Sequence, residues 1–397
     1  MSLTRFPNHF FRIVLLIAYL AGLLVMGGTS AAYAATIVVT NTNDSGSGSL
    51  RQAIVNAISG DTITFTISGT ITLTSGELAI SKNLTMNGPG ASSLTISGGL
   101  SSRVFNNSAN LTLSGLAIQN GNDPSSNGGG GIFNSGTLTL INSLVANNKA
   151  LLGGGIYNNG GVVTITDSTI SNNRADVGDG GGIYNASLSQ LQLTNTTISS
   201  NFAENIGGGI LSSGMANITN STISGNQAKA DGAIRVFGGT LHFINDTIIG
   251  NSDTKITGGL HVEPGTATNY NTILALNTSS GGSPNCSGSI TSEGNNLLGN
   301  NTGCNFVPVS GDQVGTGASP IDPKVSPLQA NGGPTLTHAL LPGSPAIDQG
   351  NNISCPPNDQ RGVPRPQGLI CDIGAFELTQ APVQQHLIRL PLILRNH

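Results

Sequence analysis

A small glycine cluster followed by an aliphatic residue recurs six times between residues 128 and 260 of this chain. The aliphatic positions are Ile132, Ile156, Ile183, Ile210, Ile234 and Leu260. Their successive spacings are 24, 27, 27, 24 and 26 residues. A fixed period in this range is typical of a solenoid, whose units bury their apolar faces only by stacking on one another. The chain is therefore predicted to fold as a stack of coils.

A second landmark keeps the same period and predicts which positions stack. It occupies residues 145–148, 170–173, 198–201, 223–226 and 248–251, starting 25, 28, 25 and 25 residues apart. Around it, aliphatic columns alternate with polar columns, as parallel strands require when one face packs inward and the other meets water. The asparagines that close each landmark, at 148, 173, 201, 226 and 251, are predicted to hydrogen-bond along the stack and to tolerate unusual backbone angles at turns.

Composition supports strands over helices. The 397 residues include 56 glycines, no tryptophan and only 9% charged residues, whereas threonine, serine and asparagine are abundant. Such residues favour strands joined by tight turns. A hydrophobic content of 37% is enough for a continuous core. The net charge of −4 leaves no basic stripe, so nucleic acid is not expected as a partner.

The first 34 residues have the pattern of a signal peptide. Arg5 and Arg12 precede an apolar run over residues 13–26, and Ala32 and Ala34 supply the small residues of a cleavage site. The alternative is an uncleaved membrane anchor. Cleavage after Ala34 predicts a secreted or cell-surface protein with no transmembrane helix in the mature chain.

The next segments are predicted to form a capped rod. Residues 35–61 form an N-terminal cap, with a strand over 36–42 and a short helix from its N-cap Ser49 to Ile58. A solenoid needs such a cap because the open end of its core is apolar. Residues 62–280 at roughly 25 per coil give about nine coils. The predicted fold class is all-β, a right-handed parallel β-helix of the pectate-lyase-like solenoid type.

The glycine clusters also resemble the repeat of the polymorphic outer-membrane proteins, which is marked by Gly-Gly-Ala-Ile and Phe-x-x-Asn. Over about residues 106–277, this chain carries mostly Gly-Gly-Gly-Ile, with Ile or Val in place of Phe in the second mark. The resemblance implies a surface-exposed β-helix used in adhesion.

All four cysteines follow the repeats. Residues 281–330 are predicted to be irregular, with a loop closed by a disulfide. An even cysteine count in an exported protein indicates disulfides, and three pairings are open. Neighbours in sequence suggest Cys286–Cys304 and Cys355–Cys371, whereas a metal site is the competing interpretation.

The segment 331–378 is similar to the choice-of-anchor Q domain. The similarity rests on residues 331–348, on Asp359-Gln-Arg-Gly362 and on Asp372-Ile-Gly-Ala-Phe-Glu377. It implies a secreted bacterial protein with a β-helical body, and it implies no reaction. Residues 379–397, a linker and an apolar tail, are predicted either to cover the last coil as an edge strand or to attach the protein to the cell.

Two groups of acidic residues are candidate sites. Asp176, Asp179, Glu204 and Asp231 precede glycine clusters, and stacking could gather them into an acidic edge able to hold calcium, a cation that prefers oxygen ligands. His242, Asp246, His261 and Glu263 form a second group with mixed offsets. For both groups, separate and solvated turn residues are the favoured interpretation, because the offsets from the glycines differ. No other cofactor is expected.

Phe133, Tyr157 and Tyr184 directly follow the isoleucines of successive glycine clusters. If these residues face outward, they form a strip that could stack against sugar rings, but packing under neighbouring turns is the favoured interpretation.

The charged residues of the C-terminal segment are a third set. They are Asp348, Asp359, Arg361, Arg365, Asp372 and Glu377. Arg–carboxylate pairs that pin the segment to the rod are favoured over an active site, because no nucleophile–base pair accompanies them.

Ladders at equal offsets are formed by Asn, Thr and Ile, and no catalytic residue is predicted. The sequence thus favours a non-catalytic protein that contacts an extracellular glycan, a matrix or a surface protein. The alternative is a polysaccharide lyase or glycoside hydrolase on the same fold.

Overall fold

The computed structural model describes residues 34–123 and 128–379. The chain divides into two units, Met1–Ala35 and Thr36–His397, and every element below belongs to the second. The signal peptide predicted for residues 1–34 and the tail predicted for 379–397 lie almost wholly outside the described residues. Within those residues, no helix has the length and apolar character needed to cross a membrane.

Among the described residues the chain forms one helix, α1 (Leu50–Asn56), which caps the rod as predicted. The Ser49 side chain is the N-cap and accepts the Gln52 backbone N–H at 3.2 Å. The helix ends two residues before the predicted Ile58, where the Lys82 ammonium of the following coil binds three of its final carbonyl oxygens. Its apolar side chains join the core of the first coils and so cover the open end.

The strands form three sheets whose internal pairings are parallel, as a right-handed β-helix requires. Sheet 1 has two strands in each coil, in two rows. The first row is β4 (Leu78–Ile80), β7 (Phe105–Asn107), β11 (Ile132–Asn134), β15 (Ile156–Asn158), β19 (Ile183–Asn185), β23 (Ile210–Ser212) and β27 (Ile234–Val236).

The second row is β1 (Thr36–Val39), β2 (Thr62–Phe65), β5 (Leu84–Asn87), β8 (Asn110–Ser114), β12 (Thr137–Ile141), β16 (Val162–Thr166), β20 (Gln190–Thr194), β24 (Met215–Thr219) and β28 (Thr240–Ile244). In the last coils the rows merge into two longer strands, β31 (Leu260–Tyr270) and β34 (Cys286–Gly294), and the short strand β36 (Cys304–Val307) pairs with β34 at the edge.

Sheet 2 has one strand in each coil. It comprises β3 (Gly69–Thr72), β6 (Leu94–Ser97), β9 (Ala117–Gln119), β13 (Leu144–Ala146), β17 (Thr169–Ser171), β21 (Thr197–Ser199), β25 (Thr222–Ser224), β29 (Thr247–Ile249), β32 (Ile273–Ala275), β35 (Leu297–Leu298) and β37 (Gln313–Val314). The strands from β3 to β32 number nine and fall within residues 62–280, in agreement with the predicted coil count.

Sheet 3 closes each coil with a short strand. Its members are β10 (Asn122–Asp123), β14 (Lys149–Ala150), β18 (Arg174–Ala175), β22 (Phe202–Ile206), β26 (Gln227–Ala230), β30 (Ser252–Asp253) and β33 (Thr278–Ser279).

The core is a set of aliphatic columns at the predicted offsets. In the landmark column Val145, Ile170, Ile198, Ile223 and Ile248 are fully buried. The asparagines that close the landmarks are buried too, and each donates its side-chain amide to the next at 2.9–3.0 Å along Asn148, Asn173, Asn201, Asn226 and Asn251. The predicted ladder is therefore confirmed.

The left-handed backbone angles fall one position earlier than predicted. Asn147 and Asn172 have φ of 57° and 54°, and glycine takes the equivalent place at Gly225 and Gly250. The laddered asparagines themselves do not belong to this left-handed set. The turn residue needs conformational freedom, whereas the next residue points inward and needs an amide for the ladder.

Parallel stacking continues past residue 280, through the segment that was predicted to be irregular. Strands β34, β36 and β37 add to sheets 1 and 2 there, although the glycine landmark is absent. Cys286–Cys304 joins two strands that lie side by side, so this disulfide links neighbouring coils rather than closing a free polar loop. Cys355–Cys371 is the second disulfide, so the suggested pairing is confirmed.

Candidate functional site

The first row of sheet 1 carries an aromatic ladder, formed by Phe133, Tyr157 and Tyr184. These residues pair in register on β11, β15 and β19. The rings pack edge to face, with centroids 5.7 Å apart for the first pair and 4.9 Å apart for the second. This geometry is a favoured one for aromatic pairs and holds the three rings in one continuous strip along the rod.

Strand alternation explains why these rings face outward. In β15 the flanking residues Ile156 and Asn158 are fully buried, the first in the core and the second in an asparagine ladder with Asn134 at 2.8 Å. The middle residue Tyr157 must then project from the opposite face, where it is half-buried. The outward column runs through Asn106, Phe133, Tyr157, Tyr184, Leu211, Arg235 and His261 and continues to Ala79 and Ser287 at its two ends.

The second row of sheet 1 presents hydroxyl and amide groups beside the ladder. Its central outward column is Thr112, Thr139, Thr164, Gln192, Asn217, His242 and Thr268. Strand neighbours in this column lie about 4.8 Å apart. The outward surface of sheet 1 thus combines rings with a regular array of short polar side chains.

The two phenols lie in a partly desolvated setting. Burial raises the pKa of Tyr157, and burial together with the nearby Tyr157 and Asp179 raises the pKa of Tyr184. Within residues 34–123 and 128–379, neither hydroxyl forms a hydrogen bond. Both phenols therefore stay neutral and keep hydrogen-bonding capacity for a molecule outside the chain.

Two carboxylates of the predicted acidic edge, Asp176 and Glu204, lie beside one arginine. Asp176 binds Lys149 and Arg174, each at 2.5 Å, and Glu204 lies 3.9 Å from the same arginine. In the described part of the chain, no group of three or more His, Cys, Asp or Glu side chains is arranged to hold a metal ion.

The other two carboxylates of that edge lie nearer the ladder. Asp179 accepts hydrogen bonds from the Asn205 side chain at 2.8 Å and the Ile206 N–H at 3.3 Å, and burial raises its pKa. Asp231 is fully buried and contacts His261 of the next coil, with Oδ1 2.7 Å from Nδ1.

The second predicted group is divided by the fold. His261 and Glu263 lie on β31, beside Arg235 of β27 and Asp231 of the turn that precedes β27, and His261 Nε2 lies 3.6 Å from the exposed Glu263. His242 instead contacts Thr268 at 2.7 Å in the second row. Asp231, Arg235, His261 and Glu263 form the charged cluster at the end of the outward column.

Asp246, the remaining member of that group, lies inside the rod. It accepts the backbone N–H groups of Ser221 at 2.7 Å and Ile244 at 3.0 Å, and burial raises its pKa well above the usual range. It takes a place that serine and threonine occupy in neighbouring coils, so it belongs to a structural polar column.

Sheet 2 is covered over much of its length by the C-terminal module (residues 331–378). Gln360 is fully buried and accepts the Thr222 hydroxyl at 2.6 Å while donating to Thr197 at 2.9 Å. His338 contacts Ser224 at 2.9 Å, and burial lowers its pKa. The sequence predicted that this segment is pinned to the rod, but not which face it covers, because the threonines of sheet 2 resemble those of any solvent-facing column.

Charged pairs hold the C-terminal module together internally, whereas the prediction that such pairs pin it to the rod was wrong, since the described contacts with the rod use neutral side chains such as Gln360. Arg361 binds Asp359 at 2.7 Å and Arg365 binds Glu377 at 3.2 Å, with all four side chains largely buried. Burial raises the pKa of Asp372 to about 6, although hydrogen bonds from the Leu378 and Asp348 N–H groups oppose the shift. Asp348 contributes its backbone to this network.

A cavity of about 450 Å³ lies where the leading edge of the C-terminal module meets sheet 2. Its lining includes Leu144, Asp167, Thr169, Pro334 and Leu336. The aromatic ladder lies on sheet 1 and takes no part in this lining.

No protein-family model matches the chain. No curated protein matches it either. The crystal structure of pectate lyase Pel9A matches 86% of this chain and 96% of that chain, at 15% sequence identity and a TM-score of 0.44. Similarity at this level carries no information on activity, so the chemistry of the site rests on its own residues.

Proposed function

We propose that this protein is an exported, non-catalytic β-helical rod that holds a glycan on the outward surface of sheet 1. The observation that carries the proposal is the aromatic ladder, in which Phe133, Tyr157 and Tyr184 stand in register beside columns of hydroxyls and amides. Rings offer sugars an apolar face to stack on, and the neighbouring short polar groups can bond their hydroxyls.

The placement of the C-terminal module supports sheet 1 as the glycan-binding surface. It occupies the outward threonines of sheet 2, so that face is closed to a long polymer in these coils. On sheet 1 the three rings of the ladder are half-buried, so each keeps part of its surface open to solvent. A polymer that follows the rod axis therefore has a continuous strip on sheet 1.

Export and surface attachment belong to the same proposal. The two disulfides are consistent with an extracellular protein. The signal-peptide pattern supports export. The resemblance of the C-terminal module to choice-of-anchor Q domains supports a place at the bacterial cell surface, where adhesion to a glycan or matrix would act.

The test is retention of the full-length protein on a panel of immobilised polysaccharides. We expect retention by the wild type and its loss in the Tyr157→Ala/Tyr184→Ala double variant. Phe202→Ala is the matched control, since Phe202 is a half-buried aromatic residue on sheet 3, stacked under Arg174 at 4.2 Å. Equal retention of the double variant and the wild type would contradict the proposal.

A carbohydrate-active enzyme is the second candidate function. The observation that favours it is the contact between the buried Asp231 and His261, an orientation that in enzymes aligns an imidazole for proton transfer. The same panel tests it through release of reducing or unsaturated ends. Product formed by the wild type and lost in His261→Asn would replace the non-catalytic proposal with this one.

A further inference from the structure

The sheet 1 strands that carry the aromatic ladder, together with the turns between their two rows, contain no charged residue over five consecutive coils. The segments that build it are residues 105–114, 132–141, 156–166, 183–194 and 210–219, and none of them contains Asp, Glu, Lys, Arg or His. They include both rows of strands and the turns between them. In the same coils, Lys149, Arg174, Asp176 and Glu204 all lie toward sheet 3. We call this surface the uncharged face, and four strand spacings make it about 19 Å long.

The arginines at the two ends of the uncharged face are already paired. Arg103 lies 5.3 Å from the Phe133 ring, but its side chain is only 7% exposed and binds Glu77 at 2.7 Å as well as Asp123. Arg235, at the other end, lies 3.3 Å from the buried Asp231. Neither guanidinium presents a free fork, which is the group that best recognises a carboxylate or sulfate.

A carboxylate beside the ladder is a further obstacle to an anionic ligand. Asp179 lies close enough to Tyr184 to raise the pKa of that phenol. A polymer that carries a negative charge on each sugar would meet this carboxylate without a compensating cation on the uncharged face. Like charges brought together on a partly desolvated surface oppose binding.

We propose that the uncharged face binds a neutral polysaccharide whose chain runs along the rod axis across the aromatic ladder. This inference rests on the proposed glycan-binding function and adds the class of ligand. The rings take the apolar faces of successive sugars, while threonine hydroxyls and the amides of Gln192 and Asn217 bond their hydroxyl groups. Acidic polymers such as polyuronates are excluded from this face.

The experiment compares neutral and acidic polysaccharides with the full-length protein. Cellulose, xylan, a β-1,3-glucan and chitin form the neutral set, and polygalacturonate and alginate form the acidic set. Binding is measured while the ionic strength rises from about 0.1 M to about 1 M, which shortens the Debye length from about 10 to about 3 Å. We expect binding to at least one neutral polymer, unchanged by salt, and no binding to the acidic polymers.

Two variants locate the binding on the uncharged face. Tyr157→Ala/Tyr184→Ala should weaken binding to the neutral polymer about tenfold or more, equivalent to about 1.4 kcal/mol. Tyr157→Phe/Tyr184→Phe keeps the rings and should stay within about twofold of the wild type, equivalent to about 0.4 kcal/mol. The melting temperature of each variant, compared with that of Phe202→Ala, separates lost binding from lost folding.

The outcomes distinguish this inference from the function on which it rests. Salt-sensitive binding to acidic polymers alone would overturn the neutral class and leave glycan binding in place. Absence of binding to every polymer would overturn both. Neutral binding that survives in the alanine double variant would place the ligand elsewhere and overturn the assignment to the uncharged face.

Discussion

The rings of Tyr157 and Tyr184 pack edge to face at a centroid distance of 4.9 Å, with their planes 82° apart. The two residues are 27 positions apart in sequence, yet they occupy the same place in consecutive coils. Each ring therefore supports the next, and the strip is ordered before any ligand arrives. Such preorganisation lowers the entropy cost of binding.

Removing one ring of the ladder should reduce stability as well as binding. Tyr157 contacts both Phe133 and Tyr184, and each aromatic pair contributes about 0.5–1.5 kcal/mol beyond its area burial. We expect Tyr157→Ala to lower the free energy of unfolding by roughly 2–3 kcal/mol in urea titrations. Tyr157→Phe should change it by less than about 0.5 kcal/mol, because the lost hydroxyl has no partner among the described residues.

The asparagine ladder should be far more sensitive than the exposed columns. The Asn201 side chain accepts from Asn173 at 3.0 Å and donates to Asn226 at 2.9 Å and to the Ile170 carbonyl at 2.9 Å, all in the buried interior. Asn201→Ala leaves several buried groups unpaired, each costing about 1–3 kcal/mol, so a loss of at least about 3 kcal/mol is expected in chemical denaturation.

Gln192→Ala is the matched control for this ladder. The Gln192 side chain is exposed on the second row of sheet 1. Its truncation should change the free energy of unfolding by no more than about 0.5 kcal/mol. Similar losses for Gln192→Ala and Asn201→Ala would show that the buried amides do not stabilise the stack.

We expect the Asp231 carboxylate to stabilise the folded protein only through its contacts with Arg235 and His261. Asp231 has a φ of 62°, and the equivalent residue of the preceding coil is Gly207, with a φ of 68°. Asp231→Gly therefore introduces no backbone clash, and it removes the partner of a buried guanidinium. Breaking such a pair typically costs about 3–5 kcal/mol.

A double variant tests whether the unpaired Arg235 causes that loss of stability. Asp231→Gly/Arg235→Leu reproduces the pair found one coil earlier, Gly207 and Leu211. We expect it to recover at least half of the stability lost in Asp231→Gly, as measured by thermal unfolding. Failure to recover would mean that the contact with His261, rather than with Arg235, is the one that matters.

The C-terminal module should show a specific pH dependence through Asp372. Its folded pKa is about 6, above the value of about 3.9 expected in the unfolded chain. The folded state therefore holds more protons between these values, and stability falls by at most about 3 kcal/mol as the pH rises from about 4 to about 6. Above that window the contribution is constant.

The measurement is the difference in the free energy of unfolding between the wild type and Asp372→Asn across that window. His338 is also buried in the module, but its pKa is lowered, so its own contribution has the opposite sign and is common to both proteins. The free energy of unfolding of the wild type minus that of Asp372→Asn should fall by at most about 3 kcal/mol from pH 4 to pH 6. A difference that does not vary with pH would contradict the raised pKa.

Much of the rod was predictable because its contacts repeat at one sequence interval. The asparagine side chains of the ladder bond partners 25 or 28 residues away, and the glycine clusters recur at nearly the same spacing. The helix cap was visible through Ser49 and its apolar pattern. Stacking past residue 280 was not visible, since β34 and β36 carry no glycine landmark.

The candidate site was predictable only in part. Alternation placed Phe133, Tyr157 and Tyr184 in one column, and the structure adds that the rings face outward and contact one another. The carboxylates were grouped by sequence alone, and their partners could not be foreseen. Whether Asp231 contacts a calcium ion, water or His261 depends on how one coil is positioned laterally over the next.

The sequence by itself determined the period, the inward columns and the uncharged composition of one face. Each of these properties follows from residues that recur at a fixed interval. Only the tertiary structure decided which face stays open. Gln360 donates a hydrogen bond to Thr197, which is 163 residues away in sequence. A single contact of that separation leaves no periodic pattern in the sequence. The C-terminal module packs on sheet 2, where its Gln360 and His338 bond residues of that sheet, and the aromatic ladder lies on sheet 1.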